Sequence, residues 1–450
     1  MKKEYDLIVI GSGPSGVHVA KDCAKQGKKV AVADFLFGGT CALRGCTPKK
    51  AMESVTSAWW VSQHLQGHGF PAIKEFVDWQ KLLIHSQEFT ALVPSGTKRQ
   101  LQKNDIDIIE HKLFFKDSQT LSNGQEEWTA KNIVIATGAK PTTLSMDGAA
   151  HLLTSDDFFE LPKLPKKIVL VGGGYIAFEL SHIAAACGSQ VTIINDTDKP
   201  LKAFDSNLVS EFIRATLDKG IEVRLGYQVV AVEKRDGQFT VKMKRKGKTS
   251  IYEIEADAVF NTAGRVSAID SLHLEKAGVD VDEKGEIKLN EYLQSVSNKK
   301  VYAVGDVTGK HLFTPVGHWE AEVVVNNLTQ KRRKKIAYPT VPYVLHGYPK
   351  LAGVGKTEAQ LIEEEINYEV VSKSLESDLL EKAVHNDFAG YRVLIHPEKK
   401  EILGAFILSA KAEESINMFA AIIQLGKKAS DLENLLLAYP TAAHITKYMV

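Results

Sequence analysis

Cysteine is scarce in this chain: four residues among 450. That scarcity excludes a scaffold of structural disulfides. Long apolar runs are missing too. None approaches the roughly eighteen residues of a membrane span, so no membrane partner is expected. The N-terminus, Met-Lys-Lys-Glu-Tyr-Asp, leads straight into an apolar strand with no signal-peptide core, which points to a cytoplasmic protein. Nor does charge of one sign accumulate: 56 Lys and Arg balance 55 Asp and Glu. A net charge of +1 provides no global attraction to nucleic acid or anionic membrane. The one basic run, residues 331–335, reads as a solvated connection. What remains is ordinary globular composition, 44% hydrophobic and 25% charged, in a chain long enough for two to four domains.

Two of the few cysteines lie together. Residues 38–49 read Gly-Gly-Thr-Cys-Ala-Leu-Arg-Gly-Cys-Thr-Pro-Lys, placing Cys41 and Cys46 five apart beside Gly38 and Gly39. In a regular helix that spacing separates the α-carbons by roughly 8–9 Å. A disulfide needs under about 7 Å, so a bonded pair requires a distorted turn, and Gly45 supplies the freedom for it. In a reducing compartment such a pair is catalytic or metal-binding more often than structural. Cys23 and Cys187 stand alone on expected helices and read as small buried hydrophobes.

Glycine supplies the second signal. An apolar strand at residues 7–10 runs into Gly11-Ser-Gly13-Pro-Ser15-Gly16, a helix to about Gln26, and a second strand ending at Asp34. This is a βαβ dinucleotide unit: the glycines allow a tight turn, the helix start faces a pyrophosphate, and Asp34 can bind ribose hydroxyls. The pattern recurs at residues 168–171, then Gly172-Gly-Gly174-Tyr175-Ile176-Ala177, a helix, and a strand ending near Asn195. Two such units in one chain imply a flavin and a nicotinamide. Between them, residues 51–92 read as long helices interrupted around 67–71. Residues 133–138 form a buried strand ending at Thr137-Gly138, and 221–259 alternate short strands with turns. Beyond about Tyr338 lies a separate C-terminal domain, with 161–165 and 331–335 as linkers. Trp59 and Trp60 read as core packing.

Together these features resemble the pyridine nucleotide–disulfide oxidoreductases of the glutathione reductase type, which include lipoamide dehydrogenase and mercuric reductase. The matching positions span the chain: Gly11 to Gly16 with Asp34, the Cys41/Cys46 segment, Thr137-Gly138, Gly172 to Ala177 with Glu179, Gly264-Arg265, and the segment ending Gly305-Asp306. The resemblance implies an α/β protein with two Rossmann-like domains, for FAD and NAD(P)H, and a C-terminal α+β dimerisation domain. It implies boundaries of 1–160 and 286–337 for the flavin part, 161–285 for the nicotinamide part and 338–450 for dimerisation. By the same resemblance, Gly39 and Thr40 help to hold FAD, Asp34 meets its ribose, Asp306 its ribityl chain, and Thr314 and Pro315 its pyrimidine end. Cys46 is then the flavin-side sulfur, and Cys41 the outer sulfur of a redox-active disulfide. Lys49 sits near the flavin and pairs with Glu179, and Tyr175 covers the nicotinamide pocket.

The chain departs from that pattern at its C-terminus. Disulfide-reducing members carry His-Pro-Thr there, with a glutamate five residues on; this chain has Tyr439-Pro-Thr and His444. Tyrosine, with an ordinary pKa near 10, is a poor base at neutral pH. The base is therefore open between His444 with Tyr439, a substrate that needs none, and His318 or His346. The chain also ends without the C-terminal cysteine pair of mercuric reductase. Cofactor choice is open as well: Asn195 replaces the glutamate of NAD-preferring members, Asp196 would repel a 2′-phosphate, and Lys202, with Lys199 nearby, would attract one, so NADPH and NADH both stand. The expectation is a homodimeric flavoenzyme passing electrons through Cys41 and Cys46 to a small disulfide. Reduction of a metal ion or quinone, and a redox-responsive binding role, are the alternatives.

Overall fold

The first apolar run becomes the strand Lys3–Ile10 in the computed structural model, which describes residues 3–450. Its side chains alternate between two cores: Ile8 and Ile10 enter one, and Leu7 and Val9 the other. A strand buried on both faces reads as a continuous apolar run, which is why the sequence shows no alternation here. Two compact units result. The first comprises residues 3–49, 84–142 and 265–338, and the second 50–83, 143–264 and 339–450.

In the first unit, Lys3–Ile10 pairs in parallel with Val30–Ala33 on one side and Glu127–Ile135 on the other. Val30–Ala33 continues to Asp107–Ile109, also parallel. The end of Glu127–Ile135 carries the parallel strand Val301–Ala303, while its start pairs antiparallel with Thr120–Ser122. Helices Pro14–Lys25 and Thr314–Thr329 belong to this unit. The basic run at 331–335 is exposed, as the sequence suggests, with Lys335 paired to Glu291 at 3.0 Å. Cys23 is fully buried, and burial pushes its thiol up to about 12.

The second unit repeats the parallel theme with strands ordered Glu222–Leu225, Gln190–Asn195, Lys167–Val171 and Ala258–Asn261. An antiparallel meander follows: Tyr227–Arg235, Gln238–Arg245 and Ile251–Ala256. Its C-terminal part is a five-stranded antiparallel sheet from Tyr343–Leu345 to Ile402–Ser409, with helix Ala412–Gln424 packed through Ile416 and Phe419. The helical stretch expected over 51–92 is interrupted more widely than expected, between helices Cys46–His64 and Trp79–Thr90. Gly67 and Gly69 take left-handed φ of 80° and 99°, and a glycine there is free to turn the chain. Trp60 is a core residue whose indole donates to the His182 carbonyl. Cys187 ends helix Tyr175–Ala186, and burial pushes its thiol up to about 12. Among the described residues, no helix is long and apolar enough to cross a membrane.

Candidate active site

The first glycine turn is built by close backbone approach. A Cβ on Gly11 would lie 2.2 Å from the Ala136 carbonyl oxygen, and one on Gly16 would lie 2.2 Å from the Gly11 oxygen. These clashes explain why glycine stands at both ends of the motif. Asp34, at the end of the second strand, accepts from the backbone N–H and hydroxyl of Ser12, both at 2.7 Å. Ser12 in turn accepts from Gly38 N at 3.0 Å, and a Cβ on Gly39 would come within 2.5 Å of the Gly13 α-carbon. The cysteine segment thus starts directly on the dinucleotide turn. The motif alone does not reveal Ser12 as the joint between them.

Gly305 and Asp306 converge on the same turn. A Cβ on Gly305 or Gly317 would lie 2.9 Å or 2.2 Å from the Ser15 hydroxyl. The segment is held by Glu320, fully buried, which accepts from Gly305 N at 2.7 Å and Tyr338 OH at 2.6 Å. Burial raises the Glu320 pKa above its ordinary value, against the lowering effect of those donors. Asp306 is likewise raised by burial and lowered by the Arg265 guanidinium. Asp306 and Arg265 line a cleft of about 210 Å³ with Ser267, Lys284 and Glu286.

Does this surface suit FAD? Among the described residues, no side chain caps the N-terminus of helix Pro14–Lys25, leaving its first N–H groups to an anion. The Thr137 hydroxyl, next to Gly138, is buried and has no hydrogen-bond partner among the described residues. A phosphate-bearing dinucleotide fits both features.

Between helices Gly39–Arg44 and Cys46–His64 the chain breaks at Gly45, with φ −137° and ψ −113°. A Cβ there would lie 3.0 Å from the Thr40 carbonyl oxygen. The break turns Cys46 back upon Cys41, so the distortion read from their spacing is present. The two are hydrogen-bonded to each other. Cys41 is half-buried and Cys46 exposed. Thr314, the first residue of its helix, donates its hydroxyl to Cys41 Sγ at 3.1 Å. Hydrogen bonds from Cys46 and Thr314 lower the Cys41 pKa from 9.0 to about 6, against burial and the Asp306 charge. Pro315 follows Thr314 in the first turn, and Lys49 lies in the first turn of the Cys46 helix. His318, one turn further, faces His18 with ring centroids 5.4 Å apart.

The second glycine turn repeats the construction. A Cβ on Gly172 would lie 2.6 Å from the Ala263 α-carbon. Helix Tyr175–Ala186 starts at Gly174, and among the described residues no side chain caps it. Asn195 accepts from Gly173 N at 2.9 Å and donates to the Thr197 carbonyl at 2.8 Å. Its amide therefore ties the strand end to the turn. Beside it opens a cavity of about 350 Å³ lined by Lys199, Lys202, Arg245 and Lys246, with Asp196 and Asp198. Sequence reasoning found Lys202 but not Arg245 or Lys246, which arrive from the meander. Tyr175 lies against Phe204, ring centroids 5.3 Å apart and planes tilted by 44°, and burial drives its phenol pKa well above the ordinary value. Ile176 follows it in the helix, and Gly264, with φ 121°, ends this part of the unit. Glu179 is buried and accepts from His346 N at 2.9 Å.

Near the C-terminus, Tyr439 is 73% exposed. His444 lies 5.1 Å from it, centroid to centroid, and its other flank meets the Tyr448 hydroxyl at 3.4 Å. Structure thus adds Tyr448 to the two residues read from the sequence.

Comparison with known proteins agrees with this geometry. Residues 5–326 match the family described as Pyridine nucleotide-disulphide oxidoreductase, and residues 341–450 match its dimerisation domain. A glutathione reductase of Burkholderia cepacia is 30% identical over 443 residues, 98% of this chain and 97% of its own. A mercuric reductase of Staphylococcus aureus is 29% identical over 449 residues, 98% of this chain and 81% of its own. In fold, the chain matches the HOCl-induced flavoprotein disulfide reductase RclA from Escherichia coli, with TM-score 0.89 and 24% identity over 99% of both chains. The chain belongs to the pyridine nucleotide–disulphide oxidoreductase family and is an FAD-dependent NAD(P)H oxidoreductase.

Proposed function

We propose that this oxidoreductase takes hydride from NADPH and passes two electrons through Cys41 and Cys46 to a small disulfide, working as a homodimer. The observation that carries this reading is the break at Gly45, which turns the two thiols toward each other. We assign residues 1–160 and 286–337 to the flavin domain, 161–285 to the nicotinamide domain and 338–450 to dimerisation. FAD held on the first glycine turn supplies the two-electron relay between the nicotinamide and the cysteine pair. The N–H groups from Gly13 onward take its pyrophosphate, Asp34 its ribose and Asp306 its ribityl hydroxyls.

The choice of NADPH rests on the four cations lining the cavity beside Asn195, which outnumber Asp196 and Asp198. Their excess of positive charge suits a 2′-phosphate. A carboxylate at Asn195 would favour an unphosphorylated ribose, and here that position holds an amide bonded to Gly173. Dimerisation is supported by the match of residues 341–450 and by fully exposed Leu436 beside exposed Tyr439.

Tyr439 in the place of a histidine favours a second reading, reduction of a metal ion or quinone directly from the flavin. One experiment separates the two. Anaerobic protein is oxidised, treated with one equivalent of NADPH and alkylated with iodoacetamide, and labelled cysteines are located by mass spectrometry. Cys41 and Cys46 should label only after NADPH, and Cys41→Ser should remove turnover of disulfides. Labelling that does not depend on NADPH, or full turnover in Cys41→Ser, would sink the disulfide reading.

A further inference from the structure

One lysine of the second unit is held by aromatic rings instead of a carboxylate. Lys219 follows helix Ser206–Asp218, and its Nζ donates to the Ala215 carbonyl at 3.3 Å. The ammonium lies over two aromatic faces, 5.3 Å from the Trp60 ring centroid and 5.4 Å from that of Tyr348. Those buried rings come from helix Cys46–His64 and from the turn before strand Lys350–Gly355, so three separate elements close the clamp. Aromatic faces attract a cation, yet they replace its water poorly. Asp218, the preceding residue, acts on Lys219 through its charge, without a hydrogen bond. His64 and His182 are held below the ordinary imidazole pKa, by burial first and then by the Lys219 charge, so both stay neutral beside it. Burial likewise pulls Lys219 down to about 8. The residue keeps part of its surface open to solvent.

We propose that Lys219 is an acylation site, its amine taking a small acyl group from an acyl phosphate or an acyl thioester. The clamp favours the neutral amine, which is the nucleophilic form. The amide product carries no charge, so it escapes the desolvation that burdens the ammonium. In the step, the Nζ lone pair attacks the acyl carbonyl carbon and a C–N bond forms. The bond from that carbon to the phosphate oxygen or thioester sulfur breaks, and phosphate or thiolate leaves with the electron pair. The amine proton passes to solvent, and nothing is oxidised or reduced. The amide N–H keeps a donor for the Ala215 carbonyl, while the cation on Trp60 and Tyr348 is lost. Neither Cys41 nor Cys46 takes part, so the inference stands apart from the disulfide reading.

The test reads amine reactivity and does not depend on turnover. Oxidised, flavin-loaded full-length protein is incubated across pH with acetyl phosphate, and separately with acetyl-coenzyme A. Acetylation of each lysine is then quantified by mass spectrometry. At neutral pH Lys219 should react roughly tenfold faster than the median exposed lysine. About a hundredfold more of it is free base, and part of that gain is returned because a weaker base is a weaker nucleophile. Its rate should level off above an inflection near pH 8. Asp218→Asn, at an exposed position, removes the charge that favours the ammonium. The inflection should then fall by a few tenths of a unit, with acetylation below it roughly twofold faster. Modification by either donor supports the assignment and identifies the carrier of the acyl group. Lys219 reacting no faster than the median exposed lysine with both donors, or with no inflection below about pH 10, would overturn it.

Discussion

Glu320 shows how much one buried side chain can decide. Its carboxylate accepts from Gly305, Thr308 and Tyr338, and so holds the loop that carries Asp306. Glu320→Ala would leave those donors without their acceptor, at about 2–3 kcal/mol, since an unsatisfied buried donor loses its full desolvation energy. Lower thermal stability and weaker FAD retention are expected, and unchanged flavin content would refute the role. The pH dependence has a definite sign. With a folded pKa raised above the unfolded value, the Glu320 contribution is complete below ordinary glutamate pKa, 4.5, and declines as pH rises through the folded value. Glu320→Gln should flatten that decline. Neighbouring sequence carries no sign of this role, because the three donors lie up to eighteen residues away. Asp34 is legible from its place at a strand end, whereas its Ser12 partner emerges only once the glycine turn folds back.

Secondary-structure elements set the reach of these side chains. The Cys41–Cys46 spacing conflicts with helical geometry for a bonded pair, so the break at Gly45 is legible in the sequence itself. The basic cavity is not. Arg245 ends strand Gln238–Arg245, and Lys246 N donates to the Gly226 carbonyl at 3.0 Å. Gly226 N donates to the Thr197 carbonyl at 3.2 Å, so three separate stretches of chain close one wall. Arg245→Ala should raise the KM for NADPH about tenfold, the worth of roughly one charge-assisted contact, and leave that for NADH nearly unchanged. Equal effects on both cofactors would remove the assignment to a 2′-phosphate.

At the scale of the whole molecule the exposed C-terminal tip matters most. Leu436 is 100% exposed and Tyr448 65%, in the segment that matches a dimerisation domain. Apolar side chains so placed mark an interface. Leu436→Asp should shift sedimentation from dimer toward monomer, weakening association by at least about thirtyfold if Leu436 is a central anchor. Turnover should fall with dimer content while flavin stays bound. A variant that remains dimeric would place the interface elsewhere.

Local sequence determined the two glycine turns, the strands that feed them and the paired cysteines, because each depends on backbone constraints within a few residues. The break at Gly45 follows from the same short range. Tertiary structure alone decided which groups face Cys41, what holds Asp306 and which cations meet beside Asn195. Those contacts join residues tens to hundreds of positions apart, and hydrogen bonds and charges act over ångströms in space regardless of distance along the chain. The pattern of residues could therefore name the chemistry, while only the folded chain could say which distant groups meet around it.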